Sequence, residues 1–176
     1  MLRAADAATK DMPVPDDAFV IARRIAAPRE RVFRAWTEAD HLQRWFGPKG
    51  SSMHIAALEF HPGGRFHYAL DMPGGMRIWG LLRFREIVAP ERLVQIQSFS
   101  DAQGGITRNP WSAEWPLEVL ATTVFAEKDG GTLITQTARP HEAGEAERRI
   151  YQAAFASMTG GWNGSFDKLA AYLAQP

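Results

Sequence analysis

The sequence contains no cysteine, which excludes disulfides, thiolate metal sites, iron–sulfur clusters and cysteine nucleophiles together and suits a reducing compartment. It has no surplus of charge either, since 20 Lys and Arg balance 20 Asp and Glu. Without a positive field, neither a nucleic acid nor an anionic membrane is an expected partner. No segment approaches the roughly 18–20 apolar residues of a membrane span, and the opening MLRAADAATKDMPVPDD lacks a secretory core. These absences predict a cytoplasmic protein with a flexible N-terminal tail over residues 1–17. The G-x-x-x-x-G-K-[ST], G-x-G-x-x-G and G-x-S-x-G patterns are also missing, leaving a nucleotide site or a serine triad without support. No cofactor is expected.

A length of 176 residues suits one packed core, here placed in residues 18–176. Phe19 opens a β-rich run that ends at Pro28, and Val32, Phe33 and Trp36, then Leu42, Trp45 and Phe46, recur at helical spacing before Gly47-Pro48. MHIAALEF and RFHYALDM flank His61-Pro62-Gly63-Gly64; MRIWGLLRFREIV and RLVQIQSFS flank Ala89-Pro90-Glu91; LEVLATTVFAE and TLITQTA flank Lys128-Asp129-Gly130-Gly131. Three hairpins and the first strand make an antiparallel seven-stranded sheet. Runs of strands with helices gathered elsewhere define an α+β class. The long connection DAQGGITRNPWSAEWP carries Trp111 and Trp115 among chain breakers, and a loop of this length with two large aromatics is expected to fold back on the body.

From about Glu142 to Leu173, an advance of 100° per residue gathers Tyr151, Phe155, Met158, Trp162, Phe166, Leu169 and Leu173 into an arc of roughly 80°. Ala153, Ser157, Gly161, Gly164 and Ala171 form a second, small-residue face, on which a closely approaching backbone, or a second copy in a homodimer, could pack. Gly160-Gly161 costs helix stability, about 1 kcal/mol per glycine relative to alanine, and marks an expected bend. The aromatic stripe can fill a core or line a cavity; large, adaptable side chains with a few polar ends suit a small-molecule site.

FVIARRIAAPRERVFRAWTEADHLQRWFGP, HPGGRF, the run from Gly80 to Val94, GGTLITQT and SMTGGWNGSFDKLAAYL occur in that order. In this they resemble the activator-of-heat-shock-chaperone-ATPase homologue family, within the START-like (SRPBCC) helix-grip superfamily. The resemblance covers residues 19–174 and implies a helix-grip fold of the START/Bet v type, with two short helices after strand 1 and a long C-terminal helix across the concave face of a curved sheet. It implies a hydrophobic ligand but carries over no catalytic residue; Arg65 and Glu86 recur in the pattern without a chemical role.

Other chemistry has little to stand on. His41, His54, His61, His67 and His141 lack the H-x-x-x-H or H-E-x-x-H spacing of a metal site, so no metal is expected. Glu59, His67, Asp71, Glu86 and Glu118 are isolated acid–base candidates, and either sheet face is open to His67. GGMR and HPGGR read as turns between strands rather than phosphate cradles. The expected site is a cavity between the inner sheet face and the last helix, with His67, Trp79, Gln95, Gln97, Trp111, Tyr151, Phe155, Met158 and Trp162 as ligand-binding residues. A small apolar ligand is the expected partner; a cyclase- or hydrolase-like enzyme and a chaperone-associated module are the alternatives.

Overall fold

The computed structural model describes residues 17–175. The expected tail lies outside these residues except for Asp17, whose carboxylate accepts from the Arg148 guanidinium. β1 (Phe19–Ile25) alternates inward Phe19, Ile21 and Ile25 with outward residues. The chain then leaves the sheet at Pro28, which precedes α1 (Arg29–Thr37). Glu38, in an extended conformation, ends α1 and starts α2 (Ala39–Trp45). Together these helices bury Val32, Phe33, Trp36, Leu42 and Trp45, and the Trp45 Nε1–H donates to the Ala35 carbonyl at 2.8 Å.

Six further strands complete the main sheet: β2 (Ser52–Leu58), β3 (Arg65–Asp71), β4 (Arg77–Val88), β5 (Arg92–Ser100), β7 (Glu118–Lys128) and β8 (Gly131–His141). Their order is β1-β8-β7-β5-β4-β3-β2, with a short eighth strand, β6 (Ile106–Thr107), paired to β5. All pairings are antiparallel, and bulges between Ile55 and Ala57 and between Phe84 and Glu86 bend the strands toward one side. The concave face carries Phe66, Leu82, Phe84, Leu93, Ala121, Phe125, Ile134 and Ala138 in one core with the helices.

The last helical region is two helices, α3 (Glu145–Ala153) and α4 (Phe155–Leu173). The break falls at Ala154, whose N–H bonds back to the Tyr151 carbonyl in a tightened turn, and not at Gly160-Gly161. Those glycines sit inside α4, and a Cβ on either would meet nothing within 4 Å. The small-residue face looks mainly to solvent: Ala153, Ser157 and Ala171 are exposed, and only Gly164 approaches another segment, at Lys49. Small side chains are as compatible with water as with a close neighbour, so their clustering did not specify a contact.

The grip on α4 is uneven. Phe166, Leu169 and Leu173 are fully packed, whereas Phe155, Met158 and Trp162, nearer its start, are half-buried. The Arg23–Asp167 ion pair at 2.6 Å ties α4 to β1, and Lys168 Nζ reaches the Gly47 and Ser51 carbonyls at 3.4 Å. Partial burial lowers the Lys168 pKa.

The β2–β3 turn is sterically demanding. A Cβ on Gly64 would lie 2.1 Å from the Glu59 carbonyl oxygen, while the Gly64 carbonyl accepts from the Phe84 N–H and the Gly63 N–H donates to the Phe84 carbonyl. Gly64→Ala must therefore break the turn's docking on β4. A loss of about 1–3 kcal/mol is expected in denaturant unfolding, and an unchanged midpoint would contradict this role.

Candidate ligand cavity

Beneath the loosely held start of α4 lies a cavity of about 310 Å³. Its floor is the concave face at one end of the sheet, where Tyr68 and Leu70 of β3, Ile78 and Gly80 of β4, Gln97 and Phe99 of β5 and Val119 of β7 line it. The wall toward the helices is Tyr151 and Met158, and the roof is Trp111, Trp115 and Pro116 from the long β6–β7 connection.

Strand register explains the floor. Tyr68 stands opposite Gly80, and Phe99 is the next partner across. A Cβ on Gly80 would lie 2.5 Å from Tyr68 Cζ and 2.6 Å from its hydroxyl; the absent side chain lets the phenol ring lie flat over β4. Burial in this setting pushes the Tyr68 pKa up to about 12, so the hydroxyl stays neutral and able to donate.

The roof is built from turns closed by side chains. Asp101 Oδ1 accepts from the Gln103 and Gly105 N–H groups at 2.9 and 2.8 Å, and Asn109 Oδ1 accepts from the Trp111 N–H at 2.8 Å. Trp115 packs on Tyr151 with ring centroids 5.1 Å apart, and Trp111 meets Phe99 edge-on at 6.2 Å. Trp111 nevertheless remains 59% exposed, which puts it at the rim. Arg108 anchors the loop to α3 by donating to Glu147 at 2.8 Å, and Glu147 also accepts from the Gly144 N–H at 2.9 Å.

Among the residues singled out from the sequence, Gln97, Trp111, Tyr151 and Met158 come together around this space. The Tyr151 ring is buried and its hydroxyl has no hydrogen-bond partner among the described residues. Burial, with the Asp17 carboxylate adding to it, raises the Tyr151 pKa. Gln95 lies deeper on the inner face, beside a residual space of only about 10 Å³. Phe155 packs on Phe19 and Tyr151 at 5.6 Å each, and Trp162 lies parallel to Trp36 at 6.2 Å; both are core contacts.

His67 and Trp79 occupy the other sheet face, because strand alternation sets them opposite in sense to Tyr68 and Gly80. Their rings stack at 4.9 Å, and His67 Nε2–H donates to the Asp101 carbonyl at 3.0 Å. Trp79 nevertheless borders the cavity, as does Ser98, which shares its parity across the β4–β5 pairing. The floor residues Tyr68, Leu70, Ile78, Gly80 and Val119 were not selected from sequence. The available signal was the apolar alternation Phe66–Tyr68–Leu70, which marks the inward parity of β3.

A curved antiparallel sheet closed by a long C-terminal helix is the helix-grip arrangement of START-like proteins. The chain belongs to the Activator of Hsp90 ATPase homolog 1-like family, whose sequence profile matches residues 26–174. A protein from Arthrobacter aurescens solved by NMR is 26% identical, with 94% of this chain and 91% of that one covered and a TM-score of 0.75. Crystal structures from Mycobacterium smegmatis and Nitrosomonas europaea share the fold at 20% and 22% identity, with TM-scores of 0.74 and 0.73. The alignments cover 94% and 93% of this chain and 96% and 99% of those proteins. No curated protein matches. Among the described residues no helix is long and apolar enough to cross a membrane, and no cluster of His, Asp and Glu could hold a metal ion.

The loop anchor carries a pH dependence. Hydrogen bonds from Arg108 and from the Gly144 N–H hold the Glu147 carboxyl below the ordinary carboxylate range. A carboxyl whose pKa folding lowers stabilises fully above its unfolded value, about 4.3 for glutamate, and loses that contribution as pH falls through the folded value. Glu147→Gln should therefore unfold less steeply with acid than the parent in fluorescence-monitored melts below about pH 5. Parallel acid limbs would rule the link out.

Proposed function

We propose that the protein binds a small, largely apolar molecule in the cavity between the sheet, Tyr151 and Met158 of the helices, and the tryptophan-bearing loop. The observation that carries this reading is the lining itself, which contains no Asp, Glu, Lys, Arg or His. A volume of about 310 Å³ is at the small end of ligand sites, about 300–1,000 Å³, and fits a molecule of one or two rings. A roomier groove of about 420 Å³ beside Glu30, Arg31, Arg34 and His41 has charged walls suited to water and ions.

Binding is favoured over acid–base catalysis by where the titratable groups lie. Glu59 pairs with Arg65, Asp71 with Arg77, Glu86 with Arg92 and Glu118 with Arg83, and none of these carboxylates lines the cavity. General acid–base work needs a proton-transfer group within hydrogen-bond reach of substrate; the polar residues at the cavity are tyrosines, tryptophans, Gln97 and Ser98. Gln97, Trp111, Tyr151 and Met158 are the proposed ligand-contacting residues from the sequence reading, joined by Tyr68 and Phe99.

Met158→Trp places a larger side chain in the cavity wall. With the neutral fluorophore N-phenylnaphthylamine as probe, the parent should show saturable uptake and the variant at least about tenfold weaker uptake, with the circular dichroism spectrum retained. Equal uptake by both proteins, or none by the parent, would refute the proposal.

A further inference from the structure

We propose that the cavity selects uncharged molecules bearing a hydrogen-bonding oxygen, such as aryl ketones or related carbonyl compounds, and that the Tyr68 hydroxyl and the Gln97 amide engage that oxygen. This rests on the cavity being a ligand site and names the chemistry it admits.

Placement on the floor is the first argument. The Tyr68 ring lies across Gly80, with its hydroxyl over β4. Gly80 pairs with Phe99, and Gln97 is the next residue of the same parity on β5. Hydroxyl and amide therefore belong to one patch of the floor, and both residues line the cavity. Among the described residues neither side chain has a hydrogen-bond partner in the protein. Unpaired polar groups in an otherwise apolar wall are what fixes a ligand's orientation, because each recovers a hydrogen bond only when the ligand presents a matching atom. A neutral phenol donates and an amide both donates and accepts, so a carbonyl or hydroxyl oxygen satisfies them.

Charge is the second argument. No Lys, Arg or His lines the cavity, so a carboxylate or phosphate would be desolvated without a counter-charge. The Arg108 guanidinium on the roof loop is committed to Glu147, and Asp17, the acid whose charge acts on Tyr151, is paired with Arg148. A cation would find no carboxylate and could rely only on the faces of Trp111, Trp115 and Tyr68.

Four naphthalenes of matched shape separate these chemistries: acetylnaphthalene, ethylnaphthalene, naphthoate and naphthyl-trimethylammonium, each titrated by calorimetry or by displacement of N-phenylnaphthylamine. Acetylnaphthalene should bind about three- to tenfold tighter than ethylnaphthalene, and naphthoate at least about tenfold weaker than the ketone. Tyr68→Phe should keep ethylnaphthalene affinity while losing the preference for the ketone; Gln97→Met should reduce that preference and serves if Tyr68→Phe does not fold. Equal affinity for ketone and hydrocarbon in the parent, or preference for naphthoate or the ammonium, would overturn the selectivity while leaving ligand binding intact. Failure of the fluorophore and all four naphthalenes to bind the parent would overturn both.

Discussion

Phe166, Leu169 and Leu173 pack the C-terminal half of α4 into the core formed by β1, α1 and α2, and the shape of the molecule's interior follows from that attachment. A helix fixed along half its length against one edge of a curved sheet cannot also follow the concavity to the other edge. Met158 and its neighbours therefore stand off β3, β4 and β5, and the space between is the cavity. Aromatic contacts keep the attachment rigid: Trp36 meets Trp45, Trp162, Phe166 and Phe125, so the helical corner, the sheet and α4 share one cluster.

The roof is held by a different kind of interaction. Apolar burial supplies Trp115 on Tyr151, but the position of the loop depends on hydrogen bonds made by Asp101, Arg108 and Asn109. The cavity thus has a floor and wall set by packing and a cover set by polar contacts, several of them exposed. Exposed polar contacts contribute little each and open more easily than core packing, so the cover is the less firmly held side of the cavity, with Trp111 at its exposed rim.

The strands were legible in the sequence because their hydrophobic alternation is broken at each turn by glycine or proline, and the observed ends agree to within a residue or two over most of the sheet. β8 runs further than its apolar pattern, through Pro140 to His141. Proline is tolerated there because β1 begins opposite Ala138 and does not reach Pro140, leaving that edge of β8 without a ladder partner. The long aromatic stripe announced a helix against a sheet but hid the break at Ala154, since one tightened turn hardly disturbs the spacing of Tyr151, Phe155 and Met158. The cavity was harder to read. On β3 and β4 both parities carry large side chains, so Trp79 and His67 look as suited to an interior as Tyr68 does. The alternation Phe66–Tyr68–Leu70 favours one parity on β3, and the pairing of strands carries that parity to Gly80, where the sequence has no side chain to show it.

Gly80 gives the cavity an unusual dependence on the sheet beneath it. At most lining positions an added methyl group would simply subtract its own volume. At Gly80 it would strike the ring of Tyr68 and lever a whole aromatic side chain off the strand. Interior shape is thus discontinuous in sequence: between glycine and alanine at this one site there is no intermediate form, and the two would enclose differently shaped rooms under the same roof.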